Sequence, residues 1–185
     1  VVVHFDALDD YVAARQAYLG AVVWRYANRI AGASFVVDGR SYTLTANEGT
    51  TALHGGVDGF DQRVWTVVEE SDDTITFELT SPDGDQGFPG ALLARASYRV
   101  LPNGFRLDLT ASTDAPTVAL LTSHVYVNTV PGGSTDEQDL TVDASGWVPI
   151  DSSSIPFGRV EPVAGTPFDL RRGVRVADVK AGDHD

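Results

Sequence analysis

The sequence predicts an all-β antiparallel fold, a sandwich or barrel with one short helix near its N-terminus, on three observations. Asp38-Gly39 separates two short runs rich in strand-forming residues, Pro102-Asn103-Gly104 separates two longer ones, and further short runs recur between turn residues along most of the chain. Asp-Gly and Asn-Gly favour the left-handed backbone of tight hairpins, so the strands they join pair antiparallel.

Taken in order, Val1 to Phe5 reads as a strand. A short amphipathic helix follows, its apolar residues Leu8, Tyr11, Val12, Tyr18 and Leu19 partly at helical spacing, with Asp6 or Asp9 to cap its start and Gly20 its end. Ser34 to Val37 and Ser41 to Thr45 flank Asp38-Gly39, and Val64 to Glu69 and Thr74 to Thr80 flank Ser71-Asp72-Asp73. Ala91 to Leu101 and Phe105 to Ser112 form the longest pair, Thr117 to Asn128 follows Asp114-Ala115-Pro116, and shorter segments sit around Leu140 to Val142 and Trp147 to Ile150. No repeat, low-complexity tract or linker interrupts the series, and 185 residues with 43% hydrophobic content suffice for one domain with a sizeable core.

Thirteen basic against 26 acidic residues leave a net charge of −13, and Lys180 is the only lysine. Nucleic acid and anionic membranes both need positive charge at the contact, so neither is expected as a partner; a neutral small ligand fits. The absence of cysteine excludes disulfides, thiolate nucleophiles and Cys-ligated metals. No apolar run is long enough to span a bilayer and no basic-then-apolar leader is present, so a cytoplasmic location is the default expectation. A chain without methionine that opens on Val1-Val2-Val3-His4-Phe5 reads as an excerpt of a longer protein. Oligomeric state has no signal in the sequence.

Three stretches carry candidate chemistry. In the loop from Ala46 to Trp65, His54 stands beside Gly55 and Gly56, which let a ligand approach closely, so the imidazole is presented as a ligand or is held by hydrogen bonds in a structural role. Along Thr117 to Asn128, alternation puts Ala119, Leu121, Ser123, Val125 and Val127 on a core face. The other face turns from Val118 and Leu120 into Thr122, His124, Tyr126 and Asn128, a polar ledge for a hydroxyl-rich ligand or simply a solvated strand face. The third stretch is Trp24-Arg25-Tyr26-Ala27-Asn28-Arg29-Ile30, whose guanidinium, amide and aromatic groups are three means of gripping a sugar, although Arg29 taken alone reads first as a surface ion-pair residue. His4, in a terminal strand, and His184, in an acidic tail, are assigned no role.

These motifs occur in a familiar order. Arg25 to Ile30, Asn47 and Gly49, Leu53-His54-Gly55-Gly56, Gly59-Phe60-Asp61, Val64-Trp65, Ser81-Pro82-Asp83-Gly84 with Gly87 to Gly90, Thr113 to Thr117, His124 with Tyr126 and Asn128, and Pro156 with Pro162 to Asp169 together resemble the aldose 1-epimerase (galactose mutarotase) family. The resemblance implies an antiparallel β-sandwich holding a free hexose on a concave sheet face, and interconversion of α and β anomers without a cofactor. By motif position, His124 resembles the family's general acid on the ring oxygen. His54 and Arg29 resemble the residues that hydrogen-bond the sugar and stabilise charge at that oxygen, with Asn28 and Tyr126 as further contacts.

The chain also departs from the pattern. The family's general base is a glutamate near the C-terminus of a longer chain, and a sugar-binding aspartate also lies beyond the point matched by Asp185. Neither has a counterpart here, so the resemblance implies a domain incomplete at both ends, with open sheet edges, that is weakly active or inactive alone. Trp24 stands where the family usually has glycine, either stacking on substrate or crowding its strand. Two alternatives stay open: a non-catalytic sugar-binding sandwich, and an epimerase-like protein for hexose phosphates, for which Arg171, Arg172 and Arg175 are the candidate cations.

Overall fold

The computed structural model describes residues 2–181, which fall into two compact units, one of residues 6–124 and one of residues 2–5 with 125–181. Val1 and His184 lie outside the described residues.

The unit of residues 6–124 begins with α1 (Leu8–Ala13) and a 3-10 turn (Arg15–Ala17). Its strands are β1 (Val22–Val23), β2 (Arg29–Ile30), β3 (Ser34–Val37), β4 (Arg40–Thr43), β5 (Ala52–Leu53), β6 (Thr66–Glu70), β7 (Thr74–Ser81), β8 (Leu92–Leu101), β9 (Gly104–Thr113) and β10 (Thr122–Ser123). The hairpins expected at Asp38-Gly39, Ser71-Asp72-Asp73 and Pro102-Asn103-Gly104 are the pairs β3–β4, β6–β7 and β8–β9, each within two residues of its expected bounds.

Strands β6 to β9 form an antiparallel sheet whose register sorts the side chains by chemistry. Directly opposed residues share a face, so Val67, Phe77, Ala96 and Leu109 form one apolar row, with Ile75, Tyr98 and Leu107 beside it and Leu79, Ala94 and Ala111 on the other side. The rows between them, Glu78–Arg95–Thr110 and Thr76–Ser97–Asp108, lie on the opposite face, where Arg95 pairs with Glu78 at 2.7 Å. Trp24 and Phe60 pack with Leu92 and Ala94 of this sheet into a core flanked by Val22, Trp65, Leu79, Leu109 and Leu121. A second cluster gathers Ala33, Leu44, Ala52 and Phe88 with Tyr26, Ile30, Phe35 and Val118.

Trp24 is therefore a core residue, fully buried, its ring 5.9 Å from those of Phe60 and Trp65. That removes substrate stacking as its role. Arg25 is as deeply buried, at 2% exposure; its guanidinium donates to the carbonyls of Phe88 (3.1 Å) and Gly90 and lies over the Phe88 ring.

Two expectations need correction. The helix near the N-terminus exists but is not amphipathic in effect, since Leu8 and Val12 are 77% and 67% exposed. Neither Asp6 nor Asp9 caps it: Ala7 is the N-cap residue, and Asp9 and Asp10 lie in the first turn, where the helix dipole favours their charge. Nor does Thr117 to Asn128 run as one strand. Only Thr122–Ser123 pairs regularly, with β1, while Leu120 bridges Tyr26 in parallel. The core-face assignment fails in places for the same reason: Leu121 reaches the Trp24 core, but Val118 of the opposite face packs on the Phe88 cluster and Val127 is 58% exposed.

In the unit of residues 2–5 with 125–181, Val2 bridges Val127, so among the described residues the expected N-terminal strand is reduced to one bridge. Strand β11 (Asp139–Leu140) pairs with β14 (Val174–Arg175), and β12 (Gly146–Trp147) with β13 (Glu161–Pro162), where Trp147 stacks on Phe168 at 4.0 Å. A second helix, α2 (Val176–Ala181), is too short to show a period in the sequence; Lys180 fastens it to Asp136 at 2.6 Å. No helix among the described residues is long and apolar enough to cross a membrane.

Candidate active site

Four of the five predicted site residues lie in the unit of residues 6–124, and strand pairing begins to assemble them. β2 and β5 pair with Arg29 opposite Leu53, which sets Asn28 beside His54. The His54 amide donates to the Asn28 carbonyl (3.1 Å), and the Asn28 amide donates back to Nδ1 of the His54 ring (3.0 Å). An imidazole nitrogen that accepts a hydrogen bond carries no proton, so the neutral ring holds its proton on Nε2.

The backbone around His54 is fastened from two sides. Asn47 donates through Nδ2 to the carbonyls of Leu53 (2.9 Å) and Gly56 (3.1 Å) and accepts from the Leu53 amide (2.7 Å). Gly55, at φ +91°, lies so close to the next segment that a Cβ there would collide with the Trp24 carbonyl. Asn28 and His54 themselves adopt the left-handed region, at φ 64° and 52°, each a cost of roughly 1–2 kcal/mol that their mutual hydrogen bonds offset.

Arg29 is held by a residue to which the sequence assigned no role. Glu48 accepts from its Nε at 2.6 Å and its Nη2 at 2.8 Å, while Nη1 reaches Asn28 Oδ1 at 3.3 Å. The fork-on-carboxylate geometry raises the guanidinium pKa and lowers that of Glu48.

His124 comes from the end of β10. Its amide donates to Ala21 (2.8 Å) and its carbonyl accepts from Gly20 (3.1 Å), which brings its ring to 5.8 Å from that of His54, edge-on at 86°. The ring of Tyr18 packs on both. Burial lowers the His54 pKa, and His124 and Arg29 lower it further against the opposing pull of Glu48. The arrangement thus presents a neutral imidazole with a donor nitrogen, a second imidazole beside it, and a guanidinium. These are groups that can donate to, and protonate, an oxygen-rich ligand.

Tyr126 belongs to the other unit, where it is 43% exposed and its carbonyl accepts from the Val3 amide at 2.9 Å. Asn128, the end of the expected ledge, serves the local structure, its side chain bonding Gly133, Val130 and Gln138. Sequence reasoning missed Tyr18, which it gave to the helix, and Glu48. The only signals for them were a glycine two positions after Tyr18 and the adjacency of Glu48 to Asn47.

Comparison with known proteins identifies the family and the fold. The family model described as aldose 1-epimerase matches residues 1–185. The aldose 1-epimerase of Escherichia coli (strain K12) is 40% identical over 173 residues, 91% of this chain and 49% of that protein. The galactose mutarotase of Bos taurus is 39% identical over 178 residues, 95% of this chain and 52% of that one. Among solved structures, an aldose epimerase homologue from C. elegans superimposes with a TM-score of 0.90 at 32% identity, covering 96% of this chain and 55% of that one. The galactose 1-epimerase of Lactobacillus acidophilus gives 0.89 at 28%, covering 100% and 55%. The fold is thus the all-β, mutarotase-like sandwich that the sequence predicts, and the chain spans about half the length of the curated relatives it matches.

Proposed function

Because the chain belongs to the aldose 1-epimerase family, we propose that it supplies the proton-donating side of a site that interconverts the α and β anomers of a free aldose such as galactose or glucose. The observation that carries this reading is the edge-on pair His54 and His124 beside Arg29 and Asn28.

Opening a pyranose hemiacetal needs a proton at the ring oxygen and loss of one from the C1 hydroxyl. The freed aldehyde then turns about C1–C2 and closes on its other face. In this reading His124 protonates the ring oxygen, a step for which a positioned acid contributes about 10² to 10⁴ in rate. His54 donates through Nε2, and Arg29 through the hydrogens that Glu48 leaves free, to the same region of the sugar; Asn28 supplies a further contact. The glutamate that the family resemblance implies as base has no assigned counterpart in this chain, and no cofactor enters the scheme.

The net charge of −13 supports a neutral sugar over nucleic acid or an anionic surface, and a cytoplasmic setting is part of the proposal. A phosphorylated sugar is not favoured: Arg171 and Arg175 are already engaged by Asp169 (2.7 Å) and Asp139 (3.1 Å).

Polarimetry of freshly dissolved α-D-galactose, combined with imidazole NMR on the same chain, tests the reading. Galactose is expected to shift the His54 and His124 ring resonances, and any acceleration over buffer is expected to vanish in His124→Ala while binding persists. Acceleration that survives in His124→Ala would sink the catalytic assignment. Galactose that leaves both rings unmoved would sink the site.

A further inference from the structure

Tyr18 touches both imidazoles. Its ring centroid lies 4.5 Å from that of His54, with the planes at 63°, and 5.7 Å from that of His124, at 30°. With the two imidazoles 5.8 Å apart, the three rings close a triangle in which Tyr18 is the one member without a part in the reaction proposed above.

Its backbone is committed to this placement. Tyr18 sits in the left-handed region, at φ 50° and ψ 28°, where its amide donates to Arg15 (3.1 Å) and its carbonyl accepts from Ala21 (3.0 Å). Gly20 and Ala21, the residues that pair with the His124 backbone, follow after Leu19. His54 is anchored elsewhere, on Asn28. The phenol ring therefore bridges two imidazoles that are fastened to different parts of the chain.

We propose that Tyr18 is a positioning residue of the anomerisation site, its ring fixing the edge-on angle between His54 and His124 and keeping water from the His54 ring. The purpose of this device rests on the anomerase reading; its geometry does not. The charged groups that act on these rings are His124, Arg29 and Glu48 around His54, and Asp61, Glu48 and Arg15 around Tyr18. Burial, with Asp61 and Glu48 adding to it, raises the phenol pKa, so Tyr18 stays neutral, and it is the ring that meets the imidazoles.

The test follows the imidazole nitrogens and ring protons of the sugar-free, labelled chain between about pH 5 and 8, each ring assigned from its own His→Gln variant. In the native chain, nuclear Overhauser contacts must run from the Tyr18 ring to the carbon-bound protons of both imidazoles. Their absence overturns the proposal whichever variants fold. In Tyr18→Leu, which keeps bulk without a flat face, the His54 titration midpoint is expected to rise and the resonances of both rings to move; Tyr18→Phe is expected to match the native chain. Where polarimetry detects turnover, kcat should fall about 10- to 100-fold in Tyr18→Leu with KM changing much less, and Tyr18→Phe should restore it. Unmoved imidazoles in a folded Tyr18→Leu overturn the proposal. So does Tyr18→Phe behaving like Tyr18→Leu, because the hydroxyl would then be the acting group. The ring readout needs no sugar, so a chain that does not bind galactose would remove the anomerase reading and leave this one to be decided separately.

Discussion

His54 and Asn28 exchange two hydrogen bonds, amide to carbonyl at 3.1 Å and amide to imidazole Nδ1 at 3.0 Å, and the second of these exists only while the ring is neutral. Protonating His54 breaks it and charges a partly buried ring beside His124 and Arg29.

The stability of the chain should therefore depend on pH through this residue. The folded-state pKa of His54 is depressed, so its contribution is fully present above the unfolded value of about 6.5 and is lost as pH falls through the lower folded value. Melting curves between about pH 7.5 and 5 should show Tm falling more steeply in the native chain than in His54→Gln. Parallel slopes would mean that the ring titrates without consequence for folding.

Glu48→Gln should separate ligand binding from folding. The Arg29–Glu48 pair is partly exposed, at 24% and 41% of the two side chains, so stability should change by only about 0.2–1 kcal/mol. Galactose affinity should fall roughly 5- to 10-fold, because the guanidinium loses the fork that orients it. Isothermal calorimetry beside urea denaturation measures both, and a large stability loss with unchanged affinity would reverse the assignment.

Trp24 offers the opposite separation. Trp24→Ala should cost about 3–5 kcal/mol in urea unfolding, the range for emptying a large aromatic from a packed core. Trp24→Phe should cost far less, because the indole Nε1 is buried with no hydrogen-bond partner among the described residues and its removal relieves an unsatisfied donor. A folded Trp24→Phe should bind galactose as the native chain does; weakened binding would restore a ligand role to the indole.

Gly55→Ala should affect both properties at once. The added Cβ meets the Trp24 carbonyl, at a φ of +91° that a side chain resists, so a loss of about 2 kcal/mol or more is expected. The His54 resonances should shift with it in the NMR spectrum. A neutral substitution would show that the loop has room that these contacts do not suggest.

The hairpins are legible in the sequence because their signals are local. Asp38-Gly39 takes the left-handed backbone that a two-residue turn demands, and Pro102-Asn103-Gly104 marks the end of β8 as clearly. His54, Arg29, Asn28 and His124 are legible as a set through the order of motifs, not through any one of them. The failures are non-local. The stretch after Thr117 alternates well enough to suggest a long strand, but its partners are short segments, so pairing stops after Thr122–Ser123. Tyr18 reads as a helix residue because nothing nearby discloses that its ring will meet His54, 36 positions away by number. Glu48 stays silent because a single acidic residue in a loop has no period.

Arg25 has a consequence for how the unit of residues 6–124 opens. Its guanidinium lies within the core, and it is the carbonyls of Phe88 and Gly90 that solvate it. Detaching the segment that carries those carbonyls would leave a buried guanidinium without its hydrogen-bond acceptors, at a cost far above that of an ordinary loop hydrogen bond. Phe88 and Gly90 should thus exchange their amide hydrogens only when the whole unit comes apart, which makes this segment part of the cooperative core and not a region that breathes on its own. The residues that follow Arg25, up to Asn28 and Arg29, inherit that rigidity. Asn28 and Arg29, proposed above to face the sugar, are thus mounted close to a segment that opens only with the unit as a whole.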